Sequence, residues 1–296
     1  MHFSRFVLMV FPFLLHQYAH SIINNSHKYA EVLVNFENGK VLHSKNIDER
    51  IYPASLTKMM LLLIVFKQIE MGKLSLNDKL VISKHANNKP PSRLHVKSGD
   101  KILVRDAVYS VITKSANNVA CALAEKISGS EQRFADLMNT YCRRIGLNNT
   151  HFTNASGLFN KNHYSTARDI AKLSLCLMKS YPERYHFFKT KNFKYNGQTY
   201  MNHNKLLGKR ANNIFVDGIK TGYTYNSGFN IVISATRNNK RLIAIVIGSD
   251  TSSVRNRTAS NLLDNGFKMI DKSNNIRLVR KDIKESKKKN KKMLKY

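Results

Sequence analysis

The chain has 296 residues, 42% of them hydrophobic, and its 49 lysines and arginines stand against 19 acidic residues for a formal net charge of +30. That length is enough to bury one substantial core, and three cysteines, which cannot all pair within one chain, exclude a disulfide-stapled scaffold. The basic residues are spread along the chain without a nucleic-acid-binding motif, so no specific nucleic-acid partner is expected, whereas attraction to anionic surfaces is.

Residues 1–21 have the pattern of a signal peptide. His2 and Arg5 form a short basic start, residues 6–15 an apolar run too short to span a bilayer, and Ala19-His20-Ser21 offers small residues at the cleavage point. The mature protein is expected to begin near Ile22 and to work outside the cytoplasm. Residues 31–35 and 40–44 read as a strand pair around Asn38-Gly39, the sequence signature of a type I′ hairpin turn. Helical periodicity then dominates, over 57–71, 104–113, 119–128, 131–145 and 166–179. Strands return over 229–236 and 241–248, followed by a helix over 253–267. Strands at both ends of a helical middle predict an α+β (αβα) fold: one antiparallel sheet assembled from both chain ends, with helices on both faces. Residues 22–267 form the single domain of this scheme. Residues 268–296 carry twelve Lys or Arg against three acidic residues and read as a disordered basic tail, with an affinity for anionic membrane surfaces.

Three short motifs stand out. Ser55-Leu56-Thr57-Lys58 follows Pro53-Ala54 and opens the apolar run from Met59, so Pro53 marks a helix start and Ser55 and Lys58 share one helix face. A lysine so placed is a base only if desolvation or a second cation disfavours its charge, and Lys220 is the candidate for that cation. Ser115-Ala116-Asn117 reads as a tight connection between two helices, where a hydroxyl and an amide face a cleft. Lys220-Thr221-Gly222 belongs at a sheet edge: the glycine admits close backbone approach, the lysine offers a charge for a carboxylate, and the threonine a hydroxyl beside it.

With these motifs, the segments Gly146-Leu147-Asn148-Asn149-Thr150-His151-Phe152, Ser165-Thr166-Ala167-Arg168-Asp169 and Val216-Asp217-Gly218-Ile219 make the chain resemble the low-molecular-mass penicillin-binding proteins that act as serine-type D-alanyl-D-alanine carboxypeptidases, over roughly residues 29–267. The resemblance implies that 22–267 is a catalytic domain with Ser55 as nucleophile, Lys58 as its base, Ser115 as proton relay to the leaving amine and Lys220 as electrostatic support. It implies substrate contacts from Asn117, Thr221, Gly222, Tyr223 and Arg255, with the backbone N–H groups of Ser55 and Tyr223 as oxyanion hole. Arg257 lies close enough in sequence to compete with Arg255 for the substrate carboxylate. The implied partners are peptidoglycan stem peptides ending in D-Ala-D-Ala and β-lactams as covalent inhibitors. Endopeptidase action on cross-links, or peptidoglycan binding without catalysis, are the alternatives.

Serine β-lactamases share this resemblance, but class A enzymes deacylate through a glutamate, and residues 132–182 contain none. Slow release of a penicilloyl-enzyme is therefore expected. The histidines and cysteines show no metal-binding spacing, and neither a metal nor a cofactor is expected. Cys121, Cys142 and Cys176 fall on apolar helical segments and read as buried, inert thiols.

Overall fold

The computed structural model describes residues 28–293; the expected signal peptide, residues 1–21, lies outside the described residues. A hairpin of β1 (Ala30–Asn35) and β2 (Val41–Lys45) opens the fold. A largely helical middle follows: α1 (Lys58–Glu70), β3 (Lys79–Val81), α2 (Lys84–Asn87), β4 (Lys101–Leu103), α3 (Val104–Thr113), α4 (Asn117–Ser128), α5 (Glu131–Arg144) and α6 (Ala167–Ser180). A small hairpin of β5 (Asn192–Tyr195) and β6 (Gln198–Met201) leads to β7 (Arg210–Ala211), β8 (Ile214–Thr224), β9 (Gly228–Arg237), β10 (Lys240–Ser249) and α7 (Ser252–Met293).

The principal sheet has the order β2-β1-β10-β9-β8-β7, antiparallel throughout, so the N-terminal hairpin adds to the C-terminal strands. Alternation along β10 separates two cores. Ile243, Ile245 and Ile247 face the helical middle, together with Val32 and Val34. Leu242, Ala244 and Val246 face α7, where Ala259, Leu263 and Phe267 cover them. The αβα arrangement is the one expected from sequence. On the inner side every residue of α1 from Lys58 to Phe66 is buried, and Met59 to Phe66 is an unbroken apolar run, as in a helix segment enclosed by its neighbours.

Two local expectations are corrected. The first hairpin does not turn on two residues, because its strands close at Asn35 and Lys40 around a four-residue loop. The Asn35 side chain accepts from the N–H groups of Glu37 and Asn38, and only Gly39 in the loop takes a left-handed conformation, with φ 70°. Nor does the last helix end at Phe267 before a disordered tail, since its backbone stays helical to Met293. Lysine and glutamate are good helix formers, and no proline or glycine follows Gly266 to stop it. Gly266 itself serves packing: a Cβ there would stand 2.4 Å from Leu33 Cδ2 and 2.8 Å from Leu242 Cδ1, so the glycine lets α7 lie close on the sheet.

Candidate active site

Pro53 precedes a 3-10 turn, Ala54–Thr57, that runs straight into α1. At about three residues per turn, side chains three apart eclipse one another. That geometry stacks Ser55 on Lys58 and leaves Ser55 Oγ 2.8 Å from Lys58 Nζ. The Lys58 side chain is wholly buried, and its amine has two further contacts: Asn117 Oδ1 at 2.8 Å and the Ser156 carbonyl oxygen at 2.6 Å. No carboxylate is among these partners. Burial first, and the Lys220 charge second, hold its pKa well below the ordinary lysine range, with the Glu131 carboxylate opposing.

Ser115 sits in the turn between α3 and α4, with φ 59°, a conformation few non-glycine residues adopt. Its Oγ is buried and has no hydrogen-bond partner among the described residues. An unpaired buried hydroxyl facing a cleft is suited to a ligand or a transferred proton. Asn117, two residues on, is engaged by the protein itself. Its Nδ2 donates to the carbonyls of Pro90 and Pro91, each at 3.0 Å, while its Oδ1 accepts from Lys58. The amide therefore positions Lys58, and a bond from Nδ2 to substrate requires exchange of one proline carbonyl.

Strand β8 carries Lys220, Thr221 and Gly222 along the far wall, and it is an edge strand there because β7 pairs only with Ile214 and Phe215. Lys220 Nζ donates to the Thr221 carbonyl at 2.9 Å, and burial together with the nearby Arg255 charge pushes its pKa down to about 7. A Cβ on Gly222 would lie 3.1 Å from both the Ser55 nitrogen and the Pro53 oxygen, which shows how closely β8 passes the serine. Arg255 is 4% exposed, lines the cleft, and burial lowers its pKa to about 10. Arg257 is exposed and does not line the cleft. Tyr223 is more than half exposed, its ring against Phe229.

The phase of β8 is set below the site. Its register with β9 shifts between Val216 and Gly218, which places Asp217 at a bulge. The Asp217 carboxylate is buried and receives both Arg241 Nη groups, at 2.7 and 2.9 Å, and the Tyr185 hydroxyl at 3.2 Å. Asn230 on β9 ties the sheet to the serine turn, donating to the Tyr52 carbonyl and accepting from the Gly248 N–H.

The fold thus brings Ser55, Lys58, Ser115, Asn117, Lys220, Thr221, Gly222, Tyr223 and Arg255 to one region around a cleft of about 1300 Å³. Sequence reasoning missed Ser156, whose carbonyl faces Lys58. It also missed Glu131, whose Oε1 accepts from the Ala155 N–H at 3.2 Å and so braces the loop presenting Ser156. The available signal was Asn154-Ala155-Ser156-Gly157, where Asn154 Oδ1 accepts from the N–H groups of Ser156, Gly157 and Leu158. Glu131 also joins His85 and Cys121 in a group whose potential ligand atoms lie within 4.8 Å of one another, a proximity invisible in sequence spacing. Lys89 Nζ occupies its carboxylate at 2.5 Å. Cys121 and Cys142 are buried free thiols, the latter pushed up to about 12 by burial, whereas Cys176 is partly exposed.

Fold and site together define a class, the penicillin-binding, transpeptidase-like α+β proteins built around a Ser–Lys pair. Within it, the family described as D-alanyl-D-alanine carboxypeptidase matches residues 19–251, and the chain belongs to that family. It is 38% identical over 248 residues to the D-alanyl-D-alanine carboxypeptidase DacC of Escherichia coli K12, a match covering 82% of this chain and 62% of that protein. Among solved structures, penicillin binding protein 5 of Haemophilus influenzae superposes with a TM-score of 0.78 at 37% identity, covering 82% of this chain and 71% of the other. Penicillin-binding protein D2 of Listeria monocytogenes, solved in a cefotaxime-bound form, gives a TM-score of 0.73 at 29% identity, covering 82% and 97%. The chain spans less than two thirds of the length of the curated relatives it matches first.

Proposed function

We propose that the chain is a serine-type D-alanyl-D-alanine carboxypeptidase, removing the terminal D-alanine from peptidoglycan stem peptides through an acyl-enzyme on Ser55. One observation carries this reading. A neutral amine has two N–H groups and one lone pair, and the two carbonyl oxygens of Asn117 and Ser156 take the two N–H groups. The lone pair is left for the Ser55 hydroxyl, 2.8 Å away. The family's name and the β-lactam-bound relative support the same chemistry.

In this mechanism Lys58 takes the Ser55 proton as Oγ bonds to the carbonyl carbon of the penultimate D-alanine. The carbonyl π pair moves onto oxygen, opposite the backbone N–H groups of Ser55 and Tyr223, which stabilise that charge as it develops. Collapse breaks the C–N bond, and the proton held by Lys58 reaches the departing amine through the Ser115 hydroxyl. Water then adds to the ester, gives its proton to Lys58, and hydrolysis restores Ser55. Thr221, Lys220 and Arg255 receive the terminal carboxylate.

β-Lactams acylate the same serine and leave slowly. Among the described residues Asp100 is the only carboxylate lining the cleft, and Glu131 is committed to Lys89 and the Ala155 N–H. The protein acts outside the cytoplasm after export, and residues 268–296 add electrostatic affinity for an anionic membrane surface, about 1 kcal/mol per charge near the bilayer. Sedimentation with anionic liposomes at low salt tests that attachment: it is lost on deleting the tail if the reading holds. The activity is tested by D-alanine release from a synthetic peptide ending in D-Ala-D-Ala. Release by the wild type and none by Ser55→Ala is expected; no release by a folded wild type contradicts it.

A further inference from the structure

The cleft is lopsided in charge. Beyond Arg255, its lining includes Arg93, Lys97, Lys114 and Lys205, against Asp100 as sole acid among the described residues. Asp100 is already engaged, its Oδ2 accepting from the Lys97 backbone N–H at 2.7 Å. Among the described residues none of these four cations forms an ion pair, although carboxylates elsewhere pair with Lys28, Lys67, Lys89, Arg168 and Arg241. Lysine and arginine are common over this whole surface, but an unneutralised group converging on one concave site focuses its field there. His203, also in the lining, reports the same field. Its pKa is lowered to about 4, by desolvation first and then by Lys220, Lys114, Lys205 and Lys58.

The wall bearing Arg93 and Lys97 is a built part of the site. Asn117 N donates to the Ser92 carbonyl at 2.7 Å, and Asn118 holds both the N–H and the carbonyl of Leu94, at 3.0 and 2.9 Å. His95 Nδ1 pairs with Gln198 Oε1 at 2.7 Å, tying this wall to β6. Asn117, which holds Lys58, therefore also holds the segment carrying Arg93 and Lys97. A peptide with one terminal carboxylate satisfies Thr221 and Arg255 and leaves the other charges unmet.

We propose that Arg93 and Lys97 of this wall, together with Lys114 and Lys205 of the same cleft lining, bind a second free carboxylate on the acyl side of the substrate. The chain then selects acidic stem peptides over forms in which that carboxylate is amidated. This inference rests on the carboxypeptidase reading and adds to it the charge of the residue preceding D-Ala-D-Ala. Exposed pairs are individually weak, so the preference is a matter of a few contacts: about threefold to tenfold in kcat/KM, carried by KM and shrinking as salt shortens the Debye length.

The test uses two synthetic peptides that differ only in a free side-chain carboxylate or its carboxamide on the residue before D-Ala-D-Ala. Their kcat/KM values are measured at low and high salt, with wild type, Arg93→Glu/Lys97→Glu and the milder Arg93→Gln/Lys97→Gln. The acid form is expected to be preferred by wild type at low salt, with the preference reduced in the glutamine pair and abolished or inverted in the glutamate pair. A wild-type ratio of one at low salt, or a ratio unchanged in a glutamine pair that melts like wild type, overturns the inference while leaving the carboxypeptidase reading intact. Turnover of neither peptide overturns both.

Discussion

The Ser156 carbonyl oxygen and the Lys58 amine are 2.6 Å apart, and this contact, with the one from Asn117 Oδ1, determines which way the amine faces. Two acceptors for two N–H groups leave one lone pair, and Ser55 Oγ is the remaining neighbour. Burial first and the Lys220 charge second favour the neutral amine, so its orientation and its protonation equilibrium are governed by different residues. The two effects can be separated by mutation.

The pH dependence of acylation follows from the direction of the Lys58 shift. In the proposed mechanism the active form is the neutral amine, so the rate is expected to rise with pH along a limb well below the ordinary lysine range. Lys220→Met removes a like charge, which raises the Lys58 pKa and moves this limb to higher pH. Stopped-flow acylation by a β-lactam from pH 5 to 10 checks it; a limb that stays in place refutes the coupling.

Lys220 itself is lowered to about 7, so its charge is lost as pH rises through that value. For D-Ala-D-Ala peptides, kcat/KM is expected to fall above about pH 7 as the attraction for the substrate carboxylate weakens. Lys220→Arg keeps the charge, and its profile is expected to stay flat to higher pH. Steady-state profiles of the two proteins provide the comparison.

Gly222→Ala places a methyl group 3.1 Å from the Ser55 nitrogen, tight enough to require a shift of a few tenths of an ångström in the serine turn or in β8. Because positioning errors of this size degrade an oxyanion hole, acylation is expected to slow about tenfold with little change in melting temperature. A rate equal to wild type, with unchanged stability, means that the close approach carries no catalytic weight.

Asp217→Ala leaves the Arg241 guanidinium without its buried partner and frees the bulge that sets the phase of β8. Breaking a buried pair on one side costs about 3–5 kcal/mol, read by urea denaturation. Arg241→Ala gives the same loss from the other side, and acylation falls with both if the bulge aims Lys220.

Phe267→Ala tests the outer layer. The ring is 1% exposed and packs α7 on the sheet, so its removal is expected to cost about 3–5 kcal/mol and to leave acylation by β-lactams nearly unchanged where the protein remains folded.

Much of this was legible in the sequence, for identifiable reasons. The helices over 104–113 and 131–145 and the strands β9 and β10 carry strong periodicity, and the structure places them within two residues of the expected bounds. Ser55 and Lys58 were legible because a local spacing controls their contact. Ser156 and Glu131 were not, because each acts through a backbone group, a carbonyl in one case and the Ala155 N–H in the other, and neither leaves a side-chain pattern. The bulge at Asp217 depends on Arg241, 24 residues away, and on Tyr185 from the helical middle. Beyond Phe267 the density of charge points to disorder, whereas lysine and glutamate continue a helix readily and α7 runs to Met293.

The most direct test of the central claim is the intact mass of residues 22–296 after incubation with benzylpenicillin, with Ser55→Ala and Lys58→Ala in parallel. One penicilloyl adduct per chain, mapped to Ser55, absent from Ser55→Ala and formed far more slowly by Lys58→Ala, is the predicted result. An adduct on another residue, or one formed by Lys58→Ala at the wild-type rate, would contradict the assignment of Ser55 and Lys58 as nucleophile and base.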